Sequence, residues 1–261
     1  MRYGVIADVH GNAQALDAVL AFLSTQEVDG YLCAGDLVGY GPMPNECVRQ
    51  VLALPGRCVA GNHDLIALGR LHDERCIPLA KASLRWTRGV LEDDVRELLG
   101  DLPLGAGDDG IAVRHGSLSD PQAYVVTDED SRACLEDLER TLPATDVLVL
   151  GHTHRPMAFS RHRGALLRSG TGQVDLPHDE PILLNPGAVG QSRSADARAR
   201  VMVLDTTARV ASFHALDYDV EGCRQALLER GLPVNSCHLR RSRRVRLAAG
   251  VRRVLRAPWH R

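Results

Sequence analysis

The chain has 261 residues, 44% of them hydrophobic and 25% charged, with a formal net charge of −2. That balance is ordinary for a soluble globular protein with a substantial core, organised as one large domain or two small ones. No stretch reaches the roughly 18–20 continuous apolar residues of a membrane span, which argues against a membrane partner. Met1-Arg2 runs straight into a strand pattern without a signal peptide, so a cytoplasmic location is expected.

The total charge hides an asymmetry. No Asp or Glu follows Glu229, while ten Arg lie between Arg230 and Arg261. The remainder is correspondingly acidic, which suits cation binding. The seven Cys are scattered and form no C-x-x-C pair. They are expected as free, buried, small hydrophobes in a reducing cytosol.

In chain order, Tyr3 to Ala7 reads as a buried strand. Asn12 can cap a helix whose Leu16, Val19, Leu20 and Leu23 keep helical spacing. Gly30 to Ala34 is the next strand. Pro44 suits the first turn of a helix carrying Val48, Val51 and Leu52. Cys58 to Ala60 is a third strand. This alternation favours parallel strands with right-handed crossovers, in which function collects at the carboxyl ends. Leu65 to Gly100 reads as helical, a flank or lid beside those ends. Ile111 to His115 is a strand, Asp130 to Leu142 a helix, and Val147 to Leu150 a strand. From Arg155 the pattern turns to β: Met157–Arg161, Gly164–Leu167, Pro181–Leu184, Arg200–Leu204 and Arg209–Ala215. Their close spacing favours antiparallel pairing. Two stacked sheets with helices outside are expected. Asp219 can cap a last helix, stopped by Gly231 and Pro233. A domain over residues 1–232 and a basic extension over 233–261 follow.

Five apolar runs each end in a side chain that can bind a metal: Asp8 and His10; Asp36; Asn62; His115; and the pair His152 and His154. All offer O or N and none is a Cys. That excludes a structural thiolate zinc site and favours hard or borderline divalent ions, Mn first, with Fe, Zn, Co or Ni as alternatives. Seven ligands are too many for one tetrahedral ion. They suit two ions if one carboxylate bridges them, and Asp36 is the natural bridge, each of its oxygens taking one metal. Two such ions about 3.5–4 Å apart can activate a shared water and clamp an in-line displacement at phosphorus.

Asp8-x-His10, Gly35-Asp36, Gly61-Asn62-His63-Asp64, His115 and Gly151-His152-Thr153-His154 resemble the signature of the calcineurin-like metallophosphoesterases. Asn185-Pro186-Gly187-Ala188-Val189-Gly190 resembles the family's Asn-Pro-Gly-Ser-Val-Gly turn, with Ala188 in place of Ser. The resemblance is nearest to the small bacterial and archaeal phosphodiesterases and runs from about Met1 to Ala215. It implies an α/β fold, a four-layer α/β/β/α sandwich of two mixed sheets. It also implies a division of ligands, with Asp8, His10, Asp36 and His154 on one ion and Asp36, Asn62, His115 and His152 on the other. His63 then sits beside the phosphate, stabilising charge or protonating the leaving oxygen, and Asp64 orients its ring. The expected activity is phosphodiester hydrolysis by a metal-bridging hydroxide. Phosphomonoesters, phosphoproteins and dinucleoside polyphosphates are alternatives on the same site, and a non-catalytic metal-binding scaffold is an alternative of another class.

Other residues carry less signal. The turn from Asn185 to Gly190 reads as a connection rather than a substrate contact. Tyr40 is a candidate substrate-binding side chain beside Asn62 and His63, although loop packing explains both Tyr40 and Tyr124 as well. Arg155 and Arg193 read equally as surface residues or phosphate contacts. The segment from Arg240 to Arg261 reads as a packed helix, a solvated tail or a contact for nucleic acid or an acidic partner, and oligomeric state has no signal.

Overall fold

The structure, a computed structural model, describes residues 1–108, 110–194 and 196–238. The arginine-rich segment from Arg240 onward, with its three readings, lies outside the described residues.

The first half alternates as its hydrophobic pattern demands. Strand β1 (Arg2–Ile6) leads to helix α1 (Ala13–Leu23), β2 (Gly30–Cys33) to α2 (Pro44–Leu52), and β3 (Gly56–Cys58) to the short α3 (Asn62–Ala67). Asn12 caps α1, its Oδ1 accepting from Ala15 N at 3.1 Å, and Pro44 opens α2. Helices α4 (Pro78–Val90) and α5 (Asp93–Gly100) follow. The stretch from Leu65 to Gly100, expected to be helical, spans the end of α3, then α4 and α5. Gly69, at φ 75°, turns the chain after α3, and Pro78 can only begin the next helix. Then come β4 (Ala106–Asp108), β5 (Ile111–Val113), α6 (Asp128–Thr141), β6 (Val147–Val149), β7 (Met157–Ser160), β8 (Gly164–Leu167), β9 (Gly172–Asp175), β10 (Ile182–Asn185), β11 (Ala199–Asp205), β12 (Val210–Leu216) and α7 (Val220–Glu229).

Two six-stranded mixed sheets result. One has the order β3-β2-β1-β11-β12-β9, the other β4-β5-β6-β10-β7-β8. Strands β4 and β9 had no sequence signal, because they are edge strands of 3 and 4 residues with at most one β-branched side chain. Pairing in the second half is antiparallel as expected, except that β10 runs parallel to β6.

Alternation along β1 explains the layering. Tyr3, Val5 and Ala7 face the second sheet and pack with Val113, Val149, Leu184 and Met202, while Ile6 faces Leu16, Val19 and Val48 on the helices. On the outer face of the second sheet, Leu148, Phe159 and Leu183 meet Leu135 and Leu138 of α6. This is the four-layer α/β/β/α sandwich.

The pairing fixes where function can collect. Strands β1, β2 and β3 are parallel, and so are β5, β6 and β10. Each trio delivers its carboxyl ends to one rim, and the loops leaving the two rims carry all the candidate ligands.

Residues 233–238, assigned to the extension by sequence, pack on the body. Leu232 and Cys237 are buried against Cys223 and Leu227 of α7. Ser236 Oγ donates to Tyr40 O at 2.9 Å, next to the rim. No helix among the described residues is long and apolar enough to cross a membrane.

Candidate metal centre

Backbone hydrogen bonds zip the rim loops together before any side chain is considered. Asp8 N donates to Gly35 O at 2.9 Å, His10 N to Asp36 O at 2.9 Å and Gly11 N to Leu37 O at 2.8 Å. Across the gap between the sheets, Gly190 N donates to Asp8 O at 3.0 Å, and within the second rim Gly151 N donates to His115 O at 2.9 Å. Among the described residues, eight non-glycine positions have positive φ, and six of them are Asp8, His10, Asp36, Tyr40, His152 and His154. Such backbone costs roughly 1–3 kcal/mol per residue and persists only where surroundings enforce it. Its concentration here marks the rim as the place where stability has been given up for geometry.

Asp8, His10 and His154 converge, their ligand atoms lying within 4.8 Å of one another. His10 Nδ1 lies 3.0 Å from Val38 O and His154 Nδ1 2.9 Å from Gln191 O. Each ring therefore donates from Nδ1, which leaves the Nε2 lone pair inward. Burial pushes His10 down to about 3 and holds His154 well below the usual histidine range, so both are neutral. Yet the two Nε2 atoms face each other at 3.1 Å. Two lone pairs so close repel unless a cation lies between them. Asp8 Oδ1 lies 3.5 Å from His154 Nε2, and Asp8 Oδ2 is buried without a hydrogen-bond partner. Burial raises the Asp8 carboxyl to about 7.

Asp36, His115 and His152 form a second group of the same compactness. His115 Nδ1 lies 2.6 Å from Ala34 O, which turns Nε2 toward Asn62 Oδ1 at 3.0 Å and Asp36 Oδ2 at 3.3 Å. Burial opposes a charged His115, but the Asp36 carboxylate outweighs it and raises the ring to about 9. Burial pushes His152 down to about 2, and its Nε2 is buried without a partner.

Asp36 joins the two groups, but through one oxygen. Its Oδ2 lies 3.6 Å from His10 Nε2 and 3.3 Å from His115 Nε2. Its Oδ1 accepts from His63 N at 2.8 Å. A backbone amide thus shares Oδ1, while Oδ2 faces histidines of both groups. Gly61 makes the approach feasible, since a Cβ there would stand 2.1 Å from Asp36 Oδ1.

The donor set fits a cation pair. It is all O and N, three of its four histidines (His10, His152 and His154) are neutral, and it leaves buried acceptors facing each other. Asp8, His10, Asp36 and His154 would hold one ion, and Asp36, Asn62, His115 and His152 the other.

His63 is buried beside these groups, its ring centroid 4.8 Å from those of His10 and Tyr40. Burial lowers it to about 4. Asp64 does not orient it, and here the expectation is corrected. Asp64 Oδ2 accepts from Asp36 N and Gly61 N, both at 2.9 Å, and Oδ1 from Leu37 N and Val38 N at 2.9 and 3.1 Å. With both oxygens filled by four backbone amides, the carboxylate shapes the Asp36 loop, while His63 Nδ1 has no hydrogen-bond partner.

A cavity of about 490 Å³ opens over the centre, with Asp36, Asn62, His63 and His152 on its floor. Tyr40, Gln122, Tyr124 and Arg193 line it too, with Arg75, Cys76 and Ile77 from the segment before α4 and Ala80 from its first turn. Tyr40 is held by Ser83 Oγ, which accepts from its amide at 3.1 Å, and by Ser236. Tyr124 lies with its ring centroid 4.1 Å from that of His152. Sequence reasoning left Tyr124 and Arg193 undecided. Nothing in their neighbourhood marks them, because only the packing of the 116–127 and 190–194 loops brings them to the cavity. Arg155 lies elsewhere, on another cavity beside Val126 and Phe159. The Asn185 turn is more than a connection. Asn185 Nδ2 donates to Gly151 O at 2.6 Å and to Thr153 Oγ1 at 3.2 Å, which fixes the loop that presents His152 and His154.

Residues 1–209 match the family model of the calcineurin-like phosphoesterase superfamily domain. The chain belongs to that superfamily, a group of metal-dependent phosphoester hydrolases. It is similar to the uncharacterized protein MJ0912 of Methanocaldococcus jannaschii, with 28% identity over 233 residues, 88% of this chain and 93% of that protein. It also resembles the crystal structure of a metallophosphoesterase from Sphaerobacter thermophilus, at 32% identity and a TM-score of 0.78, covering 96% of this chain and 100% of the other. A hypothetical protein PH1004 from Pyrococcus horikoshii shares the fold at 18% identity and a TM-score of 0.74, covering 90% and 96% of the two chains.

Proposed function

We propose that the chain hydrolyses phosphate esters, phosphodiesters foremost, with two divalent cations held at the centre described above, Mn being favoured. The observation that carries the reading is the pair of neutral, inward-facing Nε2 atoms of His10 and His154 at 3.1 Å, a geometry that calls for a cation. Cations bound there supply Lewis acidity toward phosphoryl oxygens and lower the pKa of water at the site.

The chain's own residues do the rest. Asp36 Oδ2 and the flanking carboxylate of Asp8 hold negative charge where cations gather, in surroundings stripped of water. His63 faces the cavity as a neutral ring. A ring pushed down to about 4 by burial is a hydrogen-bond donor near pH 7 and not a source of a whole proton. It therefore acts by stabilising charge on the phosphoryl group, with Tyr40 stacked at 4.8 Å and 33° to keep it in place. Burial pushes the Tyr40 hydroxyl up to about 12, so it too remains a donor. The diester preference is supported by the size of the cavity, whose volume of about 490 Å³ is much more than one phosphoryl group fills.

Purified full-length protein should contain metal, lose activity toward a bis-aryl phosphodiester on exhaustive chelation and regain it with Mn. Full activity after chelation would end the proposal, and a screen in which monoesters alone turn over would replace the diester assignment.

A further inference from the structure

Among the described residues that line the cavity, Arg193 is a cation that no ion pair fixes, although Asp8 lies near enough to favour its charge. Among the described residues no carboxylate forms an ion pair with it. Its two hydrogen-bond partners are neutral: Nε donates to Gln191 Oε1 at 3.1 Å and Nη1 to Tyr124 Oη at 3.3 Å. A guanidinium carries five N–H donors in a planar fork, so most of this one stays available. The other arginine on the cavity differs, since Arg75 is paired with Asp120 at 2.8 Å and also donates to Gln122 O.

The charge is also centrally placed. Its field reaches Asp8, His10, His63, His152 and His154, on both halves of the centre. A half-buried cation next to a site built for two more cations is repelled by them and costs free energy unless an anion joins the group. The position is nonetheless enforced. Gln191 is buried, its Nε2 donates to Ser236 O at 2.9 Å, and its backbone oxygen accepts from His154 Nδ1 at 2.9 Å. One residue thus sets the orientation of a candidate metal ligand with its backbone and of the arginine with its side chain.

We infer that Arg193 is a substrate-binding residue that takes a phosphoryl oxygen of the ester, with Gln191 and Tyr124 as the residues that position its fork. The inference rests on the phosphoesterase reading. Planar N–H pairs match phosphate oxygens, and the phosphate supplies the counter-charge that the protein omits. Tyr124, 52% exposed, and Ile77, 50% exposed, then stand where the ester groups leave the phosphate.

The test uses Mn-loaded full-length protein, inorganic phosphate as a competitive inhibitor and a bis-aryl phosphodiester as substrate. Arg193→Gln should keep the wild-type metal content while phosphate inhibition weakens roughly ten- to a hundredfold, the worth of a hydrogen bond to a charged group. Arg193→Lys should fall between the two, because charge remains without the fork. In Arg193→Ala, added guanidinium ion should return part of the lost turnover, which a purely structural role would not allow. A phosphate inhibition constant in Arg193→Gln within twofold of wild type, at full metal content, would overturn the inference. If Arg193→Gln loses metal, Arg193→Lys is read in its place. Severalfold weaker inhibition at full metal content supports the inference, and unchanged inhibition overturns it. A metal-loaded wild-type protein that neither binds phosphate nor turns over any ester would instead remove the phosphoesterase reading itself.

Discussion

At the scale of single residues, Asp36 and His63 separate holding metal from using it. Asp36 Oδ2 serves both ligand groups, so Asp36→Asn should lower metal content below that of the wild type and abolish metal-supported turnover, as elemental analysis and a phosphodiester assay would show. His63 lies in the cavity but outside both proposed ligand sets. His63→Ala should keep the metal and lose rate by roughly 10²–10³-fold, the worth of one donor to developing charge. Protonation gives a further expectation. In the metal-free protein His115 is raised to about 9 and Asp8 to about 7, so each carries a proton below those values that a cation must displace. Metal affinity should therefore climb as pH rises from 6 through 9, and binding near pH 7 should release protons. Calorimetry in two buffers of different ionisation heat would measure this, and proton uptake would contradict it. The candidate ligands stood out in the sequence because each ends an apolar run. Arg193 and Tyr124 were not, since an arginine in a polar loop looks the same whether it faces water or a cavity.

At the scale of elements, the site depends on loops locked in unfavourable backbone. Asp64 does much of the locking by accepting four amides from the Asp36 and Gly61 loops. Asp64→Asn keeps the volume but puts an amide donor where two N–H groups need an acceptor. The expected loss is about 2–4 kcal/mol of stability, with weaker metal binding, read from chemical denaturation of the metal-free and metal-loaded protein. An unchanged midpoint would show that the loop holds its shape without this carboxylate. The sequence placed Asp64 next to His63 and suggested a partnership. Helical geometry decided otherwise: at the start of α3 an N3 carboxylate turns back toward the preceding amides.

At the scale of the whole molecule, the centre is a seam between two sheets. Asp8, His10, Asp36 and Asn62 come from one rim, and His115, His152 and His154 from the other. A cation held by both should cross-link the halves of the sandwich and stabilise the folded state by mass action, by about 2.7 kcal/mol at a hundredfold excess over its dissociation constant. Chelation should lower the thermal midpoint by several degrees and Mn should restore it, as calorimetry would record. A midpoint indifferent to chelator would mean that the folded state does not bind metal in preference to the unfolded one.

By itself the sequence determined the layered α/β architecture and named candidate ligands at strand ends, which the fold gathers at one seam. Local hydrophobic period and one-residue chemistry are enough for those. Tertiary structure alone decided which oxygen of Asp36 faces both ion sites, what Asp64 holds, and which arginine reaches the cavity. Those outcomes depend on how loops from distant parts of the chain pack at one rim, and spacing along the chain does not encode that packing.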